Sequence, residues 1–251
     1  MSNVDLTLTS KVLQVGELQK HILTSSLKNQ KQSISKAIHA GIHDVRSPLC
    51  VIKPYINFLK RIDDQAKRNA ILDKMDTSVQ RIEKIISGLV EYTDLILLES
   101  PPPQSFLFED AFKNTQIQLL ELIKANDAQI KIDFSRASSI CYPKIYLEKI
   151  LFHTLDNAIK YQHPDRLPHV KVSTELKEEK VLLTIEDNGI GIQPEELEML
   201  DVPFTKNKKD STSVGLGLAK IKAMVGKNGG CYHIHSVPNK GTTIEIFLVS
   251  Y

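Results

Sequence analysis

His43, Asp44, Arg46, Ser47 and Pro48 stand together in the run His-Asp-Val-Arg-Ser-Pro. An imidazole beside a carboxylate has the makings of a nucleophile: the carboxylate holds the ring in one tautomer, accepts its proton and makes the other nitrogen more reactive. Pro48 removes a backbone donor and crowds the carbonyl of Asp44, which loosens a helix beside His43. Arg46 offers a positive charge close by.

A second set of residues lies further along. Asn157 and Lys160 are one helical turn apart, followed by Asp187-Asn188-Gly189-Ile190-Gly191, then Gly215-Leu216-Gly217-Leu218, then Gly241-Thr242. A neutral amide oxygen such as that of Asn157 can ligate Mg²⁺ while phosphates supply the remaining charge, and Lys160 on the same side can reach those phosphates. Gly189 and Gly191 let the backbone turn sharply and a flat base approach closely. A carboxylate at a strand end, Asp187, can accept a hydrogen bond from the exocyclic amine of adenine, where guanine has a carbonyl. If Leu216 opens a helix, free backbone donors and the helix dipole there face an anion, with Lys206, Lys208 and Lys209 adding charge on the preceding loop. Taken singly, Asp-Asn-Gly and Gly-Leu-Gly-Leu are ordinary turns. Their order gives them weight.

The elements that must position these residues can be read from periodicity. Ile38, Ile42, Val45, Leu49, Ile52, Ile56 and Leu59 recur at steps of four and three, as do Ile71, Met75, Ser78, Ile82, Ile85, Leu89, Tyr92 and Ile96. Both are seams of helices packed on other helices, and Asp63-Asp64-Gln65 between them predicts a hairpin over 34–100. Val79, Ile86 and Val90 widen the second stripe beyond what two helices bury, so the hairpin is expected to form a four-helix bundle as a homodimer. On this helix His43 falls one step past Ile42 and points away from the seam. Val12, Val15, Leu18 and Ile22 suggest a lead-in helix or coiled coil over 1–33, interrupted by the polar stretch from Thr24 to Ser33.

Pro101-Pro102-Pro103 cannot continue a helix, so a linker is expected at 101–104 and a second domain over 105–251. There the pattern predicts helices near 109–124, 144–161 and 216–225. Strands are expected at 129–134, 170–176, 181–186, 231–236 and 242–249, an α+β sandwich with helices on one face of the sheet.

Composition narrows the setting. The 251 residues suit two domains, and 41% hydrophobic with 25% charged residues suits folded rather than disordered chain. A net charge of +2 with mixed signs gives no reason to expect nucleic acid or a membrane surface as partner. Cys50, Cys141 and Cys231 are too scattered for a disulfide framework or zinc site, and no apolar run reaches bilayer length, so a soluble, cytoplasmic setting is expected. His233 and His235 share a strand face without a third ligand nearby and read as structural.

The His-Asp-Val-Arg-Ser-Pro string resembles the phosphoacceptor box of two-component sensor histidine kinases. The ordered set from Asn157 to Gly241-Thr242 resembles the ATP-binding fold shared by gyrase, heat-shock chaperone, histidine kinase and mismatch-repair ATPases, over roughly 109–251. The resemblance implies that His43 carries the phosphoryl group with Asp44 as general base, and that Ser47 orients water for dephosphorylating a partner. It implies ATP and Mg²⁺ as cofactors, Asn157 as metal ligand, and Asp187 as adenine reader helped through water by Thr242. Gly189, Gly191, Gly215, Leu216 and Gly217 would shape the pocket, Lys160, Tyr161 and Lys206 would line it, and Phe204 would be the aromatic box of the kinase branch. The partner implied is a response-regulator receiver domain. His153 and Ser213 depart from the family pattern, where asparagine and glycine are usual. They motivate the alternative of a degenerate kinase acting as a dimeric scaffold or phosphotransfer module without ATP turnover.

Overall fold

Between Thr24 and Ser33 every residue is compatible with a helix and neither glycine nor proline occurs. Helix α1 accordingly runs unbroken from Asn3 to Leu59, across the boundary expected between residues 33 and 34, and continues through Pro48 and Pro54. The computed structural model describes residues 3–200, 202–205 and 213–251. The side chains of Val12, Val15, Leu18 and Ile22 in the lead-in, and Lys206, Lys208 and Lys209, lie outside the described residues.

Helix α2 spans Gln65–Leu97. The turn before it is fixed from both sides. Asp64 caps α2, its Oδ1 accepting the backbone N–H of Ala66 at 2.9 Å and of Lys67 at 3.3 Å. Arg68 reaches back, its guanidinium donating to the carbonyl oxygens of Leu59 (3.0 Å) and Ile62 (3.1 Å), groups that the end of α1 leaves without helical donors.

The buried line on α1 coincides with the apolar seam read in the sequence only at Val45, Ile52 and Leu59, and elsewhere it runs one residue before that seam. Ala37, Gly41 and Pro48 are buried, with Ile52, Tyr55 and Leu59 half-buried, whereas Ile38, Ile42, Leu49 and Ile56 are exposed. On α2 the expected seam does face α1's side of the hairpin core, with Ile85 buried and Ile71, Met75, Ile82 and Leu89 half-buried, while Leu72, Val79 and Ile86 form an exposed second row. A heptad pattern shows that a face is apolar. It cannot say which of two partners covers it.

The chain divides into two compact units at Leu89/Val90, upstream of the triple proline. The physical reason is that the last turns of α2 pack with the C-terminal unit: Tyr92 and Leu95 are buried, and Leu95 joins the core of that unit. This core lies between three helices and one face of a five-stranded sheet. Strand β1 (Gln104–Leu107) begins within the segment expected as linker and pairs antiparallel with β3 (Ser139–Tyr142). The single helix expected over 109–124 is two, α3 (Phe108–Gln118) and α4 (Leu120–Ala125), separated at Leu119.

The remaining elements are β2 (Gln129–Arg136), α5 (Lys144–Lys160), β4 (His169–Lys177), β5 (Lys180–Asp187), the one-turn α6 (Pro194–Leu197), α7 (Gly217–Lys227), β6 (Cys231–Val237) and β7 (Gly241–Val249). The sheet order is β2-β4-β5-β7-β6, parallel only between β2 and β4. Strict alternation turns Val170, Val172, Val181, Leu183, Ile185, Ile244, Ile246 and Leu248 inward onto Leu147, Leu151, Leu155, Ile221 and Met224 of α5 and α7. This is the α+β sandwich that the alternation predicts, and it brings the C-terminal half of α5, the N-terminus of α7 and the end of β5 together.

Replacing Arg68 by Ala strands two carbonyls at the hairpin turn and should lower stability by about 2 kcal/mol, with Lys recovering only part because it lacks the second donor arm. Thermal unfolding of the chain checks this, and an unchanged midpoint would show that water satisfies the turn equally well.

Candidate functional site

The site in the second unit is built around one oxygen. Asp187 closes β5, and its Oδ1 accepts the backbone N–H of Gly189 at 2.8 Å and that of Thr242 at 3.1 Å. The carboxylate therefore fastens the glycine turn after β5 to the start of β7. Burial raises the Asp187 pKa above the ordinary carboxylate value, against the lowering effect of the two N–H groups.

The glycines around it are required for space. A Cβ on Gly189 would sit 2.4 Å from the carbonyl oxygen of Tyr161, and one on Gly241 1.9 Å from the carbonyl oxygen of Asp187. Gly191, at φ +66°, passes so close to the Val237 carbonyl that a Cβ would lie 2.2 Å from it. Gly215 sits at φ +74° and its carbonyl accepts the N–H of Phe204 at 2.8 Å, with Phe204 itself left-handed at φ 66°. Gly217 differs. A Cβ there would touch Asn157 Nδ2 and His153 Nδ1 only at 3.8 Å, so the fold would accept a side chain, and what the missing carbon leaves is room beside Asn157.

Asn157, Lys160 and Tyr161 come from the last turns of α5, where Leu155, Ala158 and Ile159 hold the opposite face in the core. The Tyr161 carbonyl accepts the N–H of Ile190 at 3.0 Å, joining the end of α5 to the glycine turn. Lys160 pairs with Asp156 at 2.7 Å, the favourable order of acid before base one helical turn apart, so its ammonium is held on α5 itself. Leu216 is the N-terminal cap residue of α7, buried and without a side-chain cap, so the first N–H groups of α7 remain for another acceptor.

Asp187, Gly241 and Thr242 line an open groove of ≈ 480 Å³ that Asn157 does not line. The hydroxyl of Thr242 lies 2.9 Å from that of Ser236, and Ser236 Oγ also accepts the N–H of Ile192 at 2.9 Å. Thr242 is thus committed to Asp187 through its backbone as well as facing the groove.

Three contributors lie outside the expected site residues, Asn188 among them although it stands within the acid-glycine run. Arg166 donates to the carbonyls of Gly189 (3.2 Å) and Asn239 (2.7 Å), tying the glycine turn to the β6–β7 turn. Asn188 holds the chain before β4, accepting from the N–H of His169 and donating to the Leu167 carbonyl. Ser236 is the third. Its alternation on β6 could have suggested it; for Arg166 no local signal exists.

His153 is half-buried beside Asn157. Burial first, and Lys220 next, push its pKa down from 6.5 to about 4, so it is a neutral ring at ordinary pH. Among the described residues no three His, Cys, Asp or Glu side chains cluster as metal ligands. His235 instead faces Glu245 at 3.5 Å, and the three cysteines are free.

On α1 the imidazole of His43 is 82% exposed, with Asp44 Oδ1 3.6 Å from Nδ1. The carboxylate lies on the Nδ1 side of the ring, and Ser47 is exposed. Among the described residues no helix is long and apolar enough to cross a membrane.

Residues 143–250, which hold most of the mixed sheet, the acid-glycine turn and the uncapped helix N-terminus, match the family of histidine kinase-, DNA gyrase B-, and HSP90-like ATPases. The chain is 29% identical over 232 residues to the signal transduction histidine-protein kinase ArlS of Staphylococcus aureus, covering 89% of this chain and 50% of ArlS. It is 25% identical over 233 residues to the methanogenesis regulatory histidine kinase FilI of Methanothrix harundinacea, covering 91% of this chain and 26% of FilI. In fold it resembles histidine kinase ThkA, solved in complex with response regulator protein TrrA, at a TM-score of 0.68 and 17% identity over 94% of this chain and 67% of that one. With its helical hairpin ahead of the domain over 143–250, this chain is similar to two-component histidine kinase cores. It spans half or less of the length of these curated relatives.

The displaced His153 has a pH signature. The folded chain keeps this ring neutral down to about pH 4. The unfolded chain protonates near 6.5. Protons therefore favour the unfolded state between those values, and stability rises with pH across that window. Acidification from 6.5 to 4 should destabilise the second unit, and His153→Gln should flatten that slope in thermal melts. A slope identical to wild type would assign the acid sensitivity elsewhere.

Proposed function

We propose that this chain is an ATP-dependent protein-histidine kinase core that transfers the γ-phosphoryl group of ATP to His43 and then to an aspartate of a response-regulator receiver domain. The observation that carries the reading is the presence, in one chain, of an exposed imidazole with a carboxylate on its Nδ1 side and a glycine-lined nucleotide cradle centred on Asp187.

In this reading Asp187 accepts the amine of adenine, and its two backbone N–H partners keep the carboxylate aimed. Gly189 and Gly191 admit the base, with Tyr161 and Thr242 at its edges. The free N–H groups at Gly217 and beyond receive phosphate, with Gly215 and Leu216 shaping the approach, and Lys160 leaves Asp156 to reach it. Lys206 would add charge from the lid. The residues fit a magnesium ion: Asn157 offers a neutral amide oxygen, and the gap left by Gly217 gives it an open side. Mg²⁺, when bound, neutralises phosphate charge. At His43 an N–P bond forms as the P–O bond to ADP breaks, and Asp44 takes up the ring proton. Positioning and charge neutralisation supply most of the rate.

Two further parts of the reading have support. Ile38, Ile42, Leu49 and Ile56 on α1 and Leu72, Val79 and Ile86 on α2 leave contiguous apolar rows exposed, which a second hairpin would cover as a four-helix bundle, so the working form is a homodimer. ThkA, alike in fold, was solved with its response regulator, which supports a receiver domain as partner. Ser47, exposed four residues after His43, would orient water for dephosphorylation of that partner. The setting of this segment would be the cytoplasm.

Incubation with γ-labelled ATP and Mg²⁺ should give acid-labile, base-stable label that His43→Gln abolishes and Asn157→Ala reduces by a hundredfold or more, on the order of 3 kcal/mol. Label persisting in His43→Gln would refute the assignment. Asp187→Asn separates stability from recognition. Its amide oxygen still accepts both N–H groups, and it removes a carboxylate whose raised pKa makes the folded state lose stability as pH rises above 3.8. The variant should therefore melt at or above the wild-type temperature at pH 7 while losing ATP binding in calorimetry; retained binding would remove Asp187 from adenine recognition.

A further inference from the structure

Glu91, on the part of α2 that belongs to the second unit, holds two lysines from two different helices. Its Oε1 accepts Lys149 Nζ of α5 at 2.5 Å, and its Oε2 pairs with Lys220 Nζ in the first turn of α7. Lys220 is almost fully buried, its side chain 8% exposed. A second lysine of α7, Lys227, lies two turns later and donates to the carbonyl oxygens of Leu95 (2.9 Å) and Leu98 at the end of α2. Helix α7 is therefore fastened to the last turns of α2 at both ends. The fastening at Glu91 also ties α7 to α5, in the turn where Gly217 stands beside His153 and Asn157.

We propose that Glu91 is a positioning residue of the nucleotide site: by clamping Lys220 and Lys149 it sets the gap between the N-terminus of α7 and Asn157, and so governs nucleotide affinity without touching the nucleotide. The proposal rests on the assignment of this site to a nucleotide. Two lysines with no counter-ion would repel one another and draw α5 and α7 apart, whereas one carboxylate between them holds both. Burial alone would raise the Glu91 pKa, but the hydrogen bonds from Lys149 and Lys220 hold it down to about 2, so the carboxylate of the clamp is ionised at neutral pH. A buried ion pair is weak evidence for stability as such, and geometry is the better account of its role.

The test is a double-mutant cycle on the full chain with Glu91→Gln, Lys220→Met and the pair, measuring Kd for Mg-ADP by calorimetry. Each single variant should weaken binding by about tenfold, and the pair by about tenfold as well, because both act through one contact. Autophosphorylation should show KM for ATP raised and kcat at saturation little changed, and Glu91→Asp should restore part of the affinity. The ring of His153, titrated by NMR without nucleotide, reads the clamp separately: its pKa should fall further in Glu91→Gln and rise in Lys220→Met. Wild-type affinity in Glu91→Gln, or a roughly hundredfold loss in the pair, would overturn the proposal. Wild type that binds no Mg-ADP would overturn the nucleotide assignment beneath it, and the His153 titration tells that failure from a failure of the clamp.

Discussion

A single carboxylate oxygen organises the ATPase domain. Asp187 Oδ1 accepts N–H groups from the turn after its own strand and from the neighbouring strand β7, so turn and strand cannot move apart without leaving a half-buried acceptor unpaired. The glycines are a consequence. For Thr242 N–H to reach Asp187, the chain entering β7 must pass against the Asp187 carbonyl, and Gly241 stands where any Cβ would collide. For Gly189 N–H to reach it, the turn must fold back over the Tyr161 carbonyl. Arg166, bonded to the Gly189 and Asn239 carbonyls, then binds the two turns to each other. The result is a rigid floor with an acid at its centre.

The wall opposite that floor is α5, whose register is set by packing. Leu147, Leu151, Leu155, Ala158 and Ile159 are buried, and that phase fixes where His153, Asn157 and Lys160 emerge. Helix α7 closes the site by its first turn. A Cβ on Gly217 would lie no nearer than 3.8 Å to His153 and Asn157, so its absence leaves a gap between α7 and α5, and two lysines of α7 are engaged on the protein, Lys220 by Glu91 and Lys227 by helix-end carbonyls. Beside the phosphate site proposed above, unpaired cations would bind anions indiscriminately. Paired ones leave the backbone N–H groups to choose by geometry, which favours a ligand of defined shape over charge alone.

Much of this was legible in the chain. The β5 acid-glycine turn, the α5 asparagine and the glycine opening of α7 are local patterns, and strand alternation placed the sheet within a few residues at most ends. What escaped shares one property. Glu91, Arg68, Arg166 and Ser236 act on groups that lie elsewhere in the sequence or on backbone atoms, and one polar residue on a helix or loop has no period to betray it. Glu91 and Lys220 are 129 residues apart. Likewise β1 and β3, of four residues each, are too short to show alternation, and Leu119 breaks the expected helix with an ordinary leucine.

The hairpin carries a different lesson about reading periodicity. Counting about 100° per residue from Gly41, the buried Ala37 and Pro48 and the half-buried Leu59 cluster within about 40° of it, and the exposed apolar residues Ile38, Ile42, Leu49 and Ile56 lie at about 60–100°. The sequence pattern merged two adjacent faces, one closed by α2 and one open, because both are spaced by three and four. His43 falls at about 200°, away from both. Covering the open face would therefore leave the imidazole as accessible as it is now, at 82%. For the acceptor role proposed above, His43 has to stay on the face that no assembly step uses, and its position about 200° round α1 from Gly41 meets that condition.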